Sequence, residues 1–307
     1  MTKAIAIVGP TAVGKTALSI QLAHHLNGEV ISGDSMQIYR HLDIGTAKIT
    51  PAEMEGVPHH LINIRDLNQR FSAAEFQKLA NEQIEQIEYK GHLPMIVGGT
   101  GFYLQTLTEN LALGADHFDE ESQRIRDYWH KIAEQNGSEY VWQQLQQKDP
   151  QAAAQIPTGN LRRIIRALEV IEKTGHLFSQ QTQTKTANDF LLIGLTTERS
   201  VLYERINQRV DLMIKNGLLD EARWLYEQGG ENYQSGKGIG YRELFSYFKG
   251  ETTLDDAVAK IKQDSRHYAK RQLTWFRNKM NVQWYDLVSG RNTTNEIEAV
   301  VKNWLKN

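Results

Sequence analysis

The residues Gly9, Pro10, Thr11, Ala12, Val13, Gly14, Lys15 and Thr16 carry the spacing G-x-x-x-x-G-K-T, directly after an apolar run (Ala4 to Val8) and at the head of a helical segment from Lys15 to Leu26. Strand, glycine loop and helix in this order turn backbone N–H groups onto phosphate oxygens at the positive end of a helix dipole. Lys15 then reaches the outermost phosphate and Thr16 offers its hydroxyl to Mg²⁺. The chemistry indicated is binding of a polyphosphate with Mg²⁺, which need not be a nucleotide.

A second apolar run, Glu29 to Ser32, delivers Asp34 just past its end. Open α/β sheets bind ligands at the carboxyl ends of their strands. Asp34 is therefore expected beside the phosphate loop, as a metal-shell group, a general base or simply a capping side chain. A third run, Leu93 to Val97, ends in Gly98-Gly99-Thr100-Gly101, where P-loop ATPases place a Walker-B aspartate. The small turn with its hydroxyl is either a plain glycine turn or room for a bulky substrate. Arg205 and Arg209, one helical turn apart, could clamp a diphosphate from the side opposite Lys15 or serve as surface charge.

The elements that hold these residues are legible as well. Ser72 and Glu75 form a capping box, and Phe76, Ala80, Ile84 and Ile87 make one apolar stripe before Gly91 stops the helix. From 116 to 189 the pattern changes to long polar helices with two glutamine-rich tracts, at 143–147 and 179–184. Leu191 to Leu195 reads as a strand rejoining the sheet. A helix pair follows over 201–228, broken at Asn216-Gly217, then a short strand over 282–287 and a closing helix over 296–306. The expected fold is α/β, a P-loop NTPase-like core (1–115 and 190–307) whose parallel sheet is flanked by helices, with an all-helical insertion (116–189).

Two further basic stretches stand out. Lys237-Gly238-Ile239-Gly240-Tyr241-Arg242 is a second glycine-rich loop. Arg266, Lys270, Arg271, Arg277 and Lys279 follow without an intervening acid, interleaved with Tyr268, Trp275 and Phe276. A basic face with aromatics suits a phosphate backbone and unstacked bases, the alternative being a cationic surface with its aromatics turned to the core. In the insertion, Arg162 and Arg166 share a helix face beside Arg163, with Glu169 and Glu172 near enough for plain ion pairing. Net charge is −2 over 307 residues, so a nucleic-acid partner would need a local patch. No cysteine is present, which excludes disulfides and thiolate metal sites. The apolar run before Gly9 is too short for a signal-peptide core, which spans roughly 7–15 residues, and a cytoplasmic enzyme with no membrane partner is expected.

Taken together, Gly9 to Thr16, Asp34 to Tyr39, Asp43-Ile44-Gly45-Thr46-Ala47-Lys48, Gly98 to Gly101, Arg163 to Val170, Gly238 to Tyr241 and Tyr268 to Arg277 resemble the tRNA dimethylallyltransferases. The resemblance implies transfer of a dimethylallyl group from its diphosphate to N6 of adenosine 37, beside the anticodon. It implies Asp34, Lys15, Thr16 and Arg209 as catalytic groups, Asp34 accepting the N6 proton and Thr16 holding Mg²⁺. Gly9 to Thr16 and Arg205 would bind the diphosphate. Asp34, Ser35, Met36, Gln37, Thr100, Arg126 (or its neighbour Arg124), Arg162 to Arg166 and Lys237 to Arg242 would meet the tRNA anticodon arm, with Lys270 and Arg271 on the basic helix. A bacterial, monomeric form without the zinc finger of eukaryotic relatives is implied. The rivals are a small-molecule kinase using ATP and an RNA-binding module gated by a nucleotide.

Overall fold

Residues 1–111, 113, 119–180 and 188–307 are described in a computed structural model of the chain. In chain order the elements are β1 (Thr2–Val8), α1 (Lys15–Leu26), β2 (Gly28–Ser32), β3 (His59–His60), α2 (Ala73–Tyr89), β4 (Leu93–Gly98), α3 (Gly101–Thr108), α4 (Glu120–Lys148), α5 (Pro150–Gln155), α6 (Leu161–Thr174), β5 (Asn188–Leu195), α7 (Arg199–Lys215), α8 (Leu218–Glu227), α9 (Arg242–Phe248), α10 (Leu254–Lys279), β6 (Gln283–Tyr285) and α11 (Thr294–Lys306). Among the described residues every strand pair is parallel, in the order β3-β2-β4-β1-β5-β6. This is a P-loop NTPase-like α/β core.

The period-two alternation of β1 divides the interior. Ala4, Ala6 and Val8 join one cluster with the α2 stripe Phe76, Ala80, Ile84 and Ile87, whereas Ile5 and Ile7 join another with Leu18 and Leu22 of α1. Both sheet faces are thus covered, as an all-parallel sheet requires. Each fully buried Ile or Leu side chain contributes about 1.5–3 kcal/mol. The capping box forms as expected: the Ser72 hydroxyl accepts the Glu75 N–H at 3.2 Å and Glu75 accepts the Ser72 N–H at 3.0 Å.

The chain makes two compact units, Met1–Thr108 with Thr186–Asn307, and Glu109–Lys185. The boundary expected at 115/116 and most of the second glutamine tract lie outside the described residues, while 143–147 lies in α4. The second unit has its own core, with Trp129, Val141, Leu145, Ile164 and Leu168 buried together. Its long helix α4 breaks at Gly137, where φ is 84°. Two sequence expectations needed adjustment. The edge strand β3 escaped notice because two histidines carry no alternation, and the last strand is confined to Gln283–Tyr285.

Candidate active site

Three neighbouring strands, β2, β4 and β1, end at one edge, and each exit carries part of the site. From β1 the chain enters the phosphate loop. Gly9 has φ 140°, and a side chain there would bring Cβ within 2.4 Å of the Leu195 carbonyl oxygen. Gly14 (φ 93°) and Ala12 (φ 67°) also take left-handed backbone, which costs a non-glycine residue about 1–2 kcal/mol. The loop is held from outside: Arg205 Nε donates to the Ala12 carbonyl at 2.8 Å, Arg209 donates to Thr11 Oγ1 at 3.4 Å and Lys15 Nζ donates to the Pro10 carbonyl at 2.6 Å. Both arginines of α7 therefore sit against the phosphate loop.

From β2 the chain turns through Asp34, whose Oδ1 accepts the Met36 N–H at 2.8 Å. Burial pushes the Asp34 carboxyl up from its ordinary value, against the Met36 and Gln37 N–H groups, Lys15 and Arg209, which pull it down. Lys15 shows the converse. Burial and the nearby Arg209 bring its ammonium down to about 7, with Asp34 opposing. The acid and the amine, each acting on the other, are both held toward neutrality.

From β4 comes the glycine turn. Thr100 Oγ1 accepts the Ser35 N–H at 3.0 Å, and the Gly33 N–H donates to the Val97 carbonyl at 2.8 Å. Gly98 is required here, since a Cβ would lie 2.3 Å from the Gly33 oxygen. Tyr268 of α10 closes the group: burial and the nearby Asp34 push its hydroxyl up to about 12, with Thr100 hydrogen bonding against them.

The structure brings Asp34, Ser35, Thr100, Lys15, Arg205 and Arg209 together and turns other expected contacts inward. Gln37 is engaged at both ends, accepting the Ser32 hydroxyl at 3.0 Å and donating to the Thr46 and Ala47 carbonyls at 3.3 Å. Tyr241 is 1% exposed and donates to Glu221 at 2.7 Å, so its side chain serves the core instead of an RNA surface. Gly238 and Gly240 are buried beneath it, and a Cβ on Gly238 would meet Met36 Cε at 2.8 Å. Lys237 and Arg242 stay exposed, Arg242 paired with Glu243 and Asp264. Lys270 and Arg271 face solvent on α10.

In the second unit Arg126 grips buried Glu169 with both arms at 2.8 Å, and Arg166 adds a 3.0 Å pair. Burial raises the Glu169 carboxyl, but the two arginines hold it below its ordinary value. Arg126 is thus committed within its own unit, while Arg162 and Arg163 are exposed. Sequence reasoning did not single out Gln272. It stands three residues from Ala269 and four from Phe276, and that buried spacing was the available signal.

The IPP transferase family model matches residues 37–279. A tRNA dimethylallyltransferase of Limosilactobacillus reuteri is 65% identical over the whole of both chains, and one of Enterococcus faecalis is 51% identical over 100% of this chain and 98% of its own. Among solved structures, a full-length tRNA isopentenylpyrophosphate transferase of Bacillus halodurans is 48% identical, with a TM-score of 0.75 and coverage of 100% and 97%. A eukaryotic dimethylallyltransferase acting on tRNA has a TM-score of 0.85 at 30% identity, covering all of this chain and 80% of its own. With the phosphate loop, the acid after β2 and the glycine turn after β4 meeting at one edge, and likeness running the full length, the chain belongs to the IPP transferase family.

Proposed function

We propose that this chain transfers a dimethylallyl group from dimethylallyl diphosphate to N6 of adenosine 37 in the anticodon arm of tRNA, releasing diphosphate. The observation that carries the proposal is Asp34, a partly desolvated carboxylate within electrostatic reach of Lys15 and Arg209, at a sheet edge whose phosphate loop has no Walker-B acid beside it. The amine nitrogen attacks the allylic carbon, the carbon–oxygen bond breaks and its electron pair leaves on the diphosphate. Asp34 accepts the departing N6 proton. An exocyclic amine is a poor nucleophile while its lone pair is delocalised, so a base with a raised pKa suits the step. Lys15, Arg205 and Arg209 balance charge on the leaving group.

Magnesium fits this donor set. Mg²⁺ keeps several waters and takes few protein ligands when it sits on substrate phosphates, and the exposed Thr16 at the start of α1 would supply one hydroxyl to it. When bound it would neutralise diphosphate charge. The target adenine must leave its stack to reach Asp34, and the exposed Lys237, Lys270 and Arg271, with Arg162 and Arg163, are among the cations open to the RNA backbone. We assign the activity to a cytoplasmic monomer; among the described residues no helix is long and apolar enough to cross a membrane.

Incubation with dimethylallyl diphosphate, Mg²⁺ and unmodified tRNA, followed by mass analysis of the digested nucleosides, tests the assignment. N6-dimethylallyl-adenosine is the expected product. Bound but unmodified tRNA would replace the enzyme with a binding module, and phosphoryl transfer from ATP to a metabolite would replace it with a kinase.

A further inference from the structure

Gln272 is 5% exposed, in the C-terminal half of α10, one residue from the outward-facing Arg271. Its carboxamide uses both ends. Oε1 accepts the Thr11 N–H at 3.2 Å, and Nε2 donates to the Gly99 carbonyl at 2.9 Å. These partners belong to different strand exits, Thr11 to the phosphate loop after β1 and Gly99 to the turn after β4. The fit is reciprocal, since a Cβ on Gly99 would come within 2.2 Å of Gln272 Nε2. A buried amide satisfied at both ends is a stiff spacer, because losing either bond strands a buried polar group.

We propose that Gln272 is a positioning residue for the transfer: it sets the separation between the loop that cradles the leaving diphosphate and the turn that, with Asp34, presents the attacking amine. It touches no reacting atom. Its effect reaches Asp34 through Thr100, which follows Gly99 directly and holds the Ser35 N–H. Reacting atoms must approach to about 3–3.5 Å, and a misplacement of about 1 Å can cost roughly 10²-fold in rate. The inference rests on the transfer reaction proposed above.

Gln272→Met keeps the volume and removes both hydrogen bonds. Gln272→Glu keeps the acceptor and regains the donor only when protonated. With wild-type product established, Gln272→Met is expected to lower kcat about 10–100-fold, with little change in KM for either substrate. Gly99→Ala should lose a similar amount by displacing the same carboxamide, and the double variant should be no slower than the worse single one, because both remove one contact. The activity of Gln272→Glu relative to wild type should rise toward acid pH as its side chain recovers the donor. A Gln272→Met enzyme within about twofold of wild-type kcat overturns the proposal. So do losses that multiply in the double variant, or a Gln272→Glu defect indifferent to pH, which would leave Gln272 a stabilising residue only. Absence of product from the wild type overturns the transfer reaction itself, and this inference with it.

Discussion

Asp34 and Lys15 are opposite charges that the protein keeps from being comfortable. Burial raises the acid and lowers the amine, so each carries its proton less decisively than in water. For Asp34 this sets the acid limb of the rate profile. kcat/KM should fall as pH drops through a midpoint above the ordinary carboxylate value, and Asp34→Asn should lower kcat by about 10²–10⁴ while RNA affinity is kept. Parallel loss of binding and rate would make Asp34 structural. For Lys15 the sign is opposite. Its folded pKa of about 7 lies below the ordinary 10.5 of a lysine, so between those values the unfolded chain binds more protons and stability rises with pH. Removing the charge with Lys15→Met should therefore raise the Tm of the ligand-free protein at neutral pH. Diphosphate should draw a proton back onto Lys15, seen at pH 8 as proton uptake in calorimetry across buffers of different ionisation enthalpy, and absent in Lys15→Met. The phosphate loop was readable from spacing, and the place of Asp34 from the apolar run before it, while its role as base came only with the resemblance. Gln272 was not readable, because a glutamine inside a cationic helix looks like one more polar surface residue until its neighbours on the buried stripe are known.

At the scale of elements, the segment Asp43 to Lys48 was visible only as a resemblance, and its packing explains it. Glu221 of α8 accepts the N–H groups of Asp43 and Ile44 at 2.8 Å and of Gly45 at 2.9 Å, and receives the Tyr241 hydroxyl at 2.7 Å. Lys48 is buried and donates to the Tyr39 carbonyl, Asp43 and Asn63 at 2.6–2.7 Å. Gly45 must be glycine because a Cβ would lie 2.5 Å from the Tyr241 ring. One carboxylate thus ties the loop after β2 to α8 and to the glycine-rich segment before α9. Glu221→Ala should cost about 2–3 kcal/mol in denaturant unfolding by stranding those donors, and Tyr241→Phe about 1 kcal/mol. Equal midpoints for Glu221→Ala and wild type would remove the anchor role. No local pattern announces such a link, since its partners stand some 180 residues apart in the sequence.

Across the whole molecule, the longer helices and every strand but the two-residue β3 followed from periodicity and caps, and the apolar stripe of α2 fell where the spacing put it. Charge was less legible. With a net of −2, the sum says nothing about an RNA partner, and of the arginines flagged in the insertion, Arg126 and Arg166 prove committed to Glu169. Exposure, which only the fold reveals, leaves Lys270 and Arg271 among the cations turned outward on α10. Replacing both with alanine should weaken RNA binding and flatten the plot of log affinity against log salt by roughly 1.5, the release of about two counterions. An unchanged slope would take α10 off the RNA face.

The turns after β2 and β4 are joined tightly enough to travel together: Gly33 bonds to Val97, Thr100 holds Ser35, and Gly98 and Gly33 leave no room between them. The phosphate loop hangs instead on side chains reaching in from α7 and α10. Acceptor and donor handling therefore rest on different elements, joined through the Gln272 carboxamide of α10. In directed evolution, a longer or hydroxylated prenyl chain should be reached through substitutions on α7, leaving the choice of nucleoside undisturbed, whereas a change on α10 would disturb both partners and a change of acceptor would require remaking two strand ends at once.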